Sequence, residues 1–250
     1  MKHLILYTFY KVDENVHYFL KNGVFKSPDY TFLFITNDKD CNLHVPNFVT
    51  LIKRENIGFD FGAWSEGLLR NDYYKKFDKF LFINGSVRGP YVPTYFKECW
   101  CDIFFNRLKD NIKLFGSTIN SKNYHNPIKK YRNKEKFSSH VQSMVFCCDK
   151  QTLEFLIENK IFTLDYFTKT KIETIKQREF PMSRLIIEKG WNIGCLIKHY
   201  QNVDFTFKTT PEIKFLGDFL YKDCYNGHSV HPYEIIFIKT NRGIPINSLL

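Results

Sequence analysis

The stretch DKFLFINGS, residues 78–86, decides the fold. Phe80, Leu81, Phe82 and Ile83 form an unbroken apolar run, which then stops abruptly at Asn84, Gly85 and Ser86. Such a run with an abrupt polar tail reads as a strand. Upstream, HLILYTFY (3–10), YTFLFITND (30–38) and FVTLIKREN (48–56) read as three earlier strands. Between the first two, Glu14 to Phe25 sets Val16, Phe19, Leu20 and Val24 on one helical face, with Gly23 near its end. GAWSEGLLR (62–70) opens a helix straight after a glycine-bearing turn.

Downstream, YFKECWCDIFFNRLKD (95–110) reads as a helix and IKLFGSTIN (112–120) as a strand. HVQSMVFCCD (140–149) reads as one further strand, with Asp149 capping the helix after it. KIETIKQREFPMSRLIIEKG (171–190) has helical character, and Pro181 is expected to break or restart it near Phe180. WNIGCLIKHY (191–200) reads as a late strand, followed by an irregular, aromatic tail. Strands alternating with amphipathic segments predict an α/β domain. The link between the second and third strands is short for a crossover helix, so that pair is expected to depart from the doubly wound pattern.

With 250 residues, one α/β domain with a large core accounts for the whole chain. Hydrophobic residues make up 44% and charged residues 25%, which excludes disorder as the general state. The formal net charge of +10 favours anionic partners such as nucleotides, membrane surfaces or nucleic acid. The short apolar start is followed at once by Lys11, Asp13 and Glu14, so it reads as a first strand rather than a signal peptide. No stretch reaches the roughly 18 apolar residues of a membrane span. Seven cysteines without a C-x-x-C pair point to reduced, mostly buried thiols and a cytoplasmic setting. P-loop, G-x-G-x-x-G, H-E-x-x-H and G-x-S-x-G patterns are all missing, which removes the usual support for those chemistries.

In open α/β sheets ligands bind outside the carboxyl ends of the strands. Three such ends carry polar or glycine residues: Thr36–Asp38, Arg54–Gly62 and Asn84–Pro90. Glycines let backbone N–H groups approach an anion, and a helix starting near Gly62 directs its positive end to the same place. Arg54 offers a planar fork suited to a diphosphate. The plainer reading is that both glycine stretches are tight turns.

RENIGFDFGAW (54–64) resembles the N-x-G-x-D-x-G-x-W signature of the rhamnan-synthesis F type glycosyltransferases, and FLFINGSVRGP (80–90) resembles their N-x-S-x-x-G-P strand end. HVQSMVFCCD, REFPMSRLIIEKGWNIGCLI (178–197) and HPYEIIFIKTNRG (231–243) are similar to further segments, in family order. The resemblance implies a GT-A-like, Rossmann-like, mixed and mostly parallel sheet flanked by helices. It implies a nucleotide-sugar-binding half (1–116) and an acceptor-side half (117–250) of one domain. It further implies transfer of a sugar, as in a rhamnosyltransferase, from a nucleoside diphosphate to a glycan or lipid-linked acceptor.

Carried over by position, Arg54, Asn56, Gly58, Asp60 and Gly62 lie along the donor, and Asn84, Gly85 and Ser86 take the place of Asp-x-Asp. Thr8 and Asn37 join the donor residues because they end the first two strands. Asn84 and Ser86 present neutral oxygens where a hard cation wants carboxylates, so Mg²⁺ or Mn²⁺ is set against neutralisation of the diphosphate by Arg or Lys. His231 resembles a C-terminal histidine that some GT-A enzymes place on the metal or diphosphate, and a surface histidine is the plainer reading. Asp60 is a candidate catalytic carboxylate. An inverting transferase needs one carboxylate to deprotonate the acceptor, and Glu179 is the candidate base; a retaining enzyme does not need it. The Lys-rich stretch 122–136 reads as a solvated loop, a lid over the diphosphate or a contact to an anionic acceptor. Two rival classes remain: a non-catalytic nucleotide-sugar-binding module, and a basic nucleic-acid-binding protein.

Overall fold

A computed structural model describes residues 1–121, 139–206 and 218–249. The elements of its first half are β1 (His3–Phe9), α1 (Glu14–Asn22), β2 (Tyr30–Thr36), β3 (Val49–Lys53), α2 (Phe59–Leu69), β4 (Lys79–Asn84), β5 (Val87–Arg88) and α3 (Asp102–Phe105). Next come β6 (Ile112–Gly116), β7 (Ile119–Asn120), β8 (His140–Val141), β9 (Val145–Asp149), α4 (Lys150–Glu158) and α5 (Lys171–Thr174). A single π turn, Ile175–Glu179, leads into α6 (Phe180–Glu188), then β10 (Asn192–Cys195), α7 (Pro232–Ile235) and β11 (Ile238–Lys239).

Seven strands form the main sheet in the order β10-β6-β9-β4-β1-β2-β3. Only β9 runs against the rest, pairing antiparallel with both β4 and β6. The chain moves outward from β1 through β2 to β3, then returns to the other side of β1 as β4. The direction of travel therefore reverses between β1 and β4. In open α/β sheets that reversal is where the ligand crevice forms, and Thr8 and Asn84 lie there side by side in register.

The expected α/β class and mixed, mostly parallel sheet are what the chain adopts. Aromatic residues fill both faces. On one, Tyr7 of β1 stacks on Phe19 of α1 at 4.4 Å between ring centroids, and Phe19 meets Trp100 and Phe237. On the other, Phe82 and Phe146 stack at 4.5 Å beneath Trp64 of α2. Burying side chains of this size contributes about 1.5–3 kcal/mol each, and this drives the layers together. The carboxylate of Asp13 caps α1 by accepting the N–H groups of Asn15 and Val16. Asp149 caps α4 by accepting the N–H of Thr152 at 2.8 Å, as its position predicts.

Four local expectations change. The segment 95–110 is helical only over Asp102–Phe105. Trp100 donates its indole N–H to Gly23 O at 2.9 Å, and that tertiary anchor holds the chain across α1 in turns instead of a helix. HVQSMVFCCD splits into two strands: Gln142 N–H carries the β7–β8 pairing on to Thr118 O, and a turn at Ser143 and Met144 then separates β8 from β9. Pro181 does not interrupt the 171–188 helix. In the π turn Phe180 N–H reaches back to Ile175 O, and Pro181 then sits at the head of α6, where its missing N–H is harmless. The pair β2–β3 is parallel, in the standard sense, although no helix bridges it.

All seven cysteines are free thiols, six of them wholly or partly buried. No helix among the described residues is long and apolar enough to cross a membrane. The Lys-rich stretch 122–136 lies outside the described residues.

Candidate functional site

The crevice between β1 and β4 is built from four stretches of chain. Asn84 ends β4, and its side-chain amide donates to the Asp60 carboxylate at 3.0 Å. Its carbonyl oxygen accepts the N–H of Ser86 at 3.1 Å and the Ser86 hydroxyl at 2.5 Å. Gly85 N–H donates to Thr8 O at 2.7 Å, and a side chain at Gly85 would press on Phe9 Cβ at 2.9 Å. This turn is thus tied to the neighbouring β1, with the N–H groups of Gly85 and Ser86 already in use. Beside it the Thr8 hydroxyl is fully buried and has no hydrogen-bond partner among the described residues.

Asp60 stands in the first turn of α2. Burial is the main influence on its carboxyl, pushing the pKa up to about 6; Lys239 and the Asn84 amide pull it back, and Glu179 pushes it up further. The N-cap of α2 is Gly58 with φ of 75°, and no side chain caps the helix. Phe59 follows with φ of 53°, a left-handed conformation that costs a non-glycine residue about 1–3 kcal/mol. Gly62 is required because Ile57 O folds directly over it, leaving no room for a Cβ.

Arg54 and Asn37 form a different kind of unit. The Arg54 guanidinium donates to Glu66 at 2.9 Å, to Ile57 O at 2.6 Å and to the Asn37 side-chain oxygen. Both Arg54 and Asn37 are buried. Together they tie the ends of β2 and β3 to the middle of α2. Asn56 is exposed on the loop they hold.

Glu179 ends the π turn, only 17% exposed, and accepts the backbone N–H of Ser143 at 3.2 Å. His140 Nε2 lies 3.8 Å from the same carboxylate oxygen. The segment His140–Ser143 therefore holds the candidate base. From the C-terminal region, β11 pairs antiparallel with β5 and brings Lys239 and Thr240 to the turn; Thr240 N–H donates to Ser86 O at 3.3 Å. The Lys239 ammonium has its pKa lowered, chiefly by burial and by Arg242, and Glu179 and Asp60 act on it in the opposite sense.

The structure thus brings together Thr8, Asp60, Asn84, Gly85 and Ser86, and Glu179 is near enough for its charge to act on Asp60. Gly58 and Gly62 shape the approach of α2. His231 is not joined to that group: its Nδ1 accepts the N–H of Tyr233 at 3.2 Å, capping α7. Lys239, His140 and Ser143 were not singled out from the sequence. Their only signal was membership of short segments far from the glycine turns. A separate, open groove of about 810 Å³ lies beside α3, lined in part by Tyr95, Tyr233 and Lys198.

These residues do not fit a hard divalent cation. The Asn84 oxygen already serves Ser86, its amide nitrogen faces Asp60, and the positive charge of Lys239 already acts on that carboxylate. Among the described residues no three His, Cys, Asp or Glu side chains cluster closely enough to hold a metal.

No curated protein matches the chain. The rhamnan synthesis protein F family matches residues 35–223, from within β2 past β10, and takes in the Arg54–Gly62 turn, the Asn84–Ser86 turn and Glu179. That family serves polysaccharide biosynthesis in a glycosyltransferase-like role. The match spans well over half of the sequence, and the chain belongs to the rhamnan synthesis protein F family.

Proposed function

We propose that the protein is a GT-A-type glycosyltransferase that moves a sugar from a nucleoside diphosphate to a glycan or lipid-linked acceptor. The observation that carries this reading is the polar cluster at the β1/β4 switch point, where Asp60, Asn84 and Ser86 are joined by hydrogen bonds beside Thr8. Asp60 and Asn84 face the donor there, with the exposed loop at Asn56 beside them. Arg54 and Asn37 act by holding that loop, since their polar atoms are bonded to one another and to α2. Glu179 takes the proton of the acceptor hydroxyl as that oxygen attacks the anomeric carbon, which gives inversion. The Ser143 N–H and His140 fix its orientation. Rate enhancement comes from positioning and from stabilising the departing diphosphate.

A thermal-shift screen against UDP-, GDP-, dTDP- and CMP-sugars tests the reading. A ligand of the folded state at a hundredfold excess over its dissociation constant stabilises by about 2.7 kcal/mol. One nucleotide series is expected to raise the transition, and no response to any of them would sink the proposal. A non-catalytic binding module is the second reading, favoured by the neutral Asn84–Ser86 pair. It predicts the same shift with no turnover.

A further inference from the structure

Lys239 lies beyond the stretch that the family matches, yet its backbone is fixed against the heart of the crevice. It pairs with Val87 of β5. Its neighbour Thr240 donates its N–H to Ser86 O and accepts the Asn15 amide at 3.0 Å, and the same Asn15 amide donates to Gly85 O at 3.0 Å. Asn15 and Thr240 thereby clamp the turn from below. The Lys239 side chain is half-buried and makes no hydrogen bond or ion pair with any described residue. Asp60 and Glu179 act on it from beyond contact distance, and Lys171 and Arg242 add positive charge around it. A half-buried cation without a partner is unfavourable, and an anion entering the crevice would relieve it.

We propose that Lys239 receives the donor's diphosphate and that donor binding needs no divalent metal. The inference rests on the donor-site reading above and assigns the counter-charge within it. In the transfer, the acceptor hydroxyl oxygen forms a bond to the anomeric carbon and its proton passes to Glu179. The bond from that carbon to the β-phosphate oxygen breaks, and its electron pair leaves with the diphosphate. Lys239 meets the charge that develops on that oxygen, the task a bound cation performs in metal-dependent transferases.

Calorimetric titration with UDP, GDP, dTDP and inorganic pyrophosphate, first in EDTA and then in Mn²⁺, tests this. The wild-type protein is expected to bind one of the nucleotides equally well in both buffers. Lys239→Met should weaken that nucleotide and pyrophosphate by about tenfold to a hundredfold, the range of one charged hydrogen bond. Lys239→Arg should restore most of the affinity. The unliganded thermal transition of Lys239→Met should stay level or rise, since an unpartnered charge is removed. Lys239→Gln keeps a polar end and should show the same loss if the Met variant folds poorly. Unchanged affinity in Lys239→Met, or binding that requires Mn²⁺, would overturn the role of Lys239 while leaving the donor site standing. No binding of any nucleotide by the wild-type protein in either buffer would overturn both.

Discussion

Two glycine-bearing turns close strands of the same sheet, and they do opposite things. The turn after β3 is self-satisfied: Arg54 binds Glu66, Asn37 and Ile57 O, and Gly62 exists to let Ile57 O pass. The turn after β4 is as tightly folded, but two of the groups around it are left wanting partners among the described residues, and a third is a buried carboxyl. Among those residues the Thr8 hydroxyl is orphaned and Lys239 is unpaired, while burial raises the pKa of Asp60. Glycine at a strand end thus reports a close backbone approach in both turns, and the difference in function lies in the side chains that converge from elsewhere.

Variants can break or sharpen that contrast. The largest effect is expected from Glu179→Gln, which faces the second turn. The amide oxygen can still accept the Ser143 N–H, so the fold should survive while turnover falls by about a hundredfold to ten-thousandfold. Full turnover in a donor-bound single-turnover assay would remove Glu179 as the base. Arg54→Ala belongs to the first turn and should act on stability. It strips Glu66 and Asn37 of a buried partner, and urea denaturation should show a loss of about 3–5 kcal/mol. The exposed Arg70 remains on Glu66 and keeps the loss toward the lower end. A variant that is fully stable yet has lost nucleotide affinity would return Arg54 to the diphosphate.

Asp60 gives a pH signature. Its carboxyl is raised from 3.8 to about 6, so the folded state holds the proton more tightly than the unfolded chain does. The associated stability is fully present below about pH 4 and is lost as pH rises toward 6. At about 1.4 kcal/mol per pKa unit, the loss is about 3 kcal/mol. Asp60→Asn should flatten this slope, and parallel slopes in the two proteins would show that Asp60 titrates normally. Gly62→Ala is the smallest perturbation: a methyl group against Ile57 O should cost about 1–3 kcal/mol and lower the thermal transition without abolishing nucleotide binding.

Much of the fold was legible because it is local. Apolar runs such as FLFI, cut off by Asn84 and Gly85, fix strand and strand end together. The 95–110 segment misled because its spacing fits a helix while Trp100 answers to Gly23, 77 residues away. The site was legible as far as strand ends go, which is how Thr8, Asp60, Asn84 and Ser86 came to be grouped. Arg54 looked like a free fork because its partners Asn37 and Glu66 are 17 and 12 residues distant in sequence. Lys239 had only its place in HPYEIIFIKTNRG, far from the glycine turns, as a signal. It reaches the turn through a two-residue strand, in a clasp whose Thr240–Ser86 contact spans 154 residues.

The most direct test of the account is hydrogen exchange, measured by mass spectrometry, with the nucleoside diphosphate that gives the largest thermal shift. The account predicts added protection in peptides covering the start of α2, residues 84–88 and residues 236–242, the three stretches that meet at the crevice. Protection confined to the groove beside α3, with those three stretches unchanged, would contradict it.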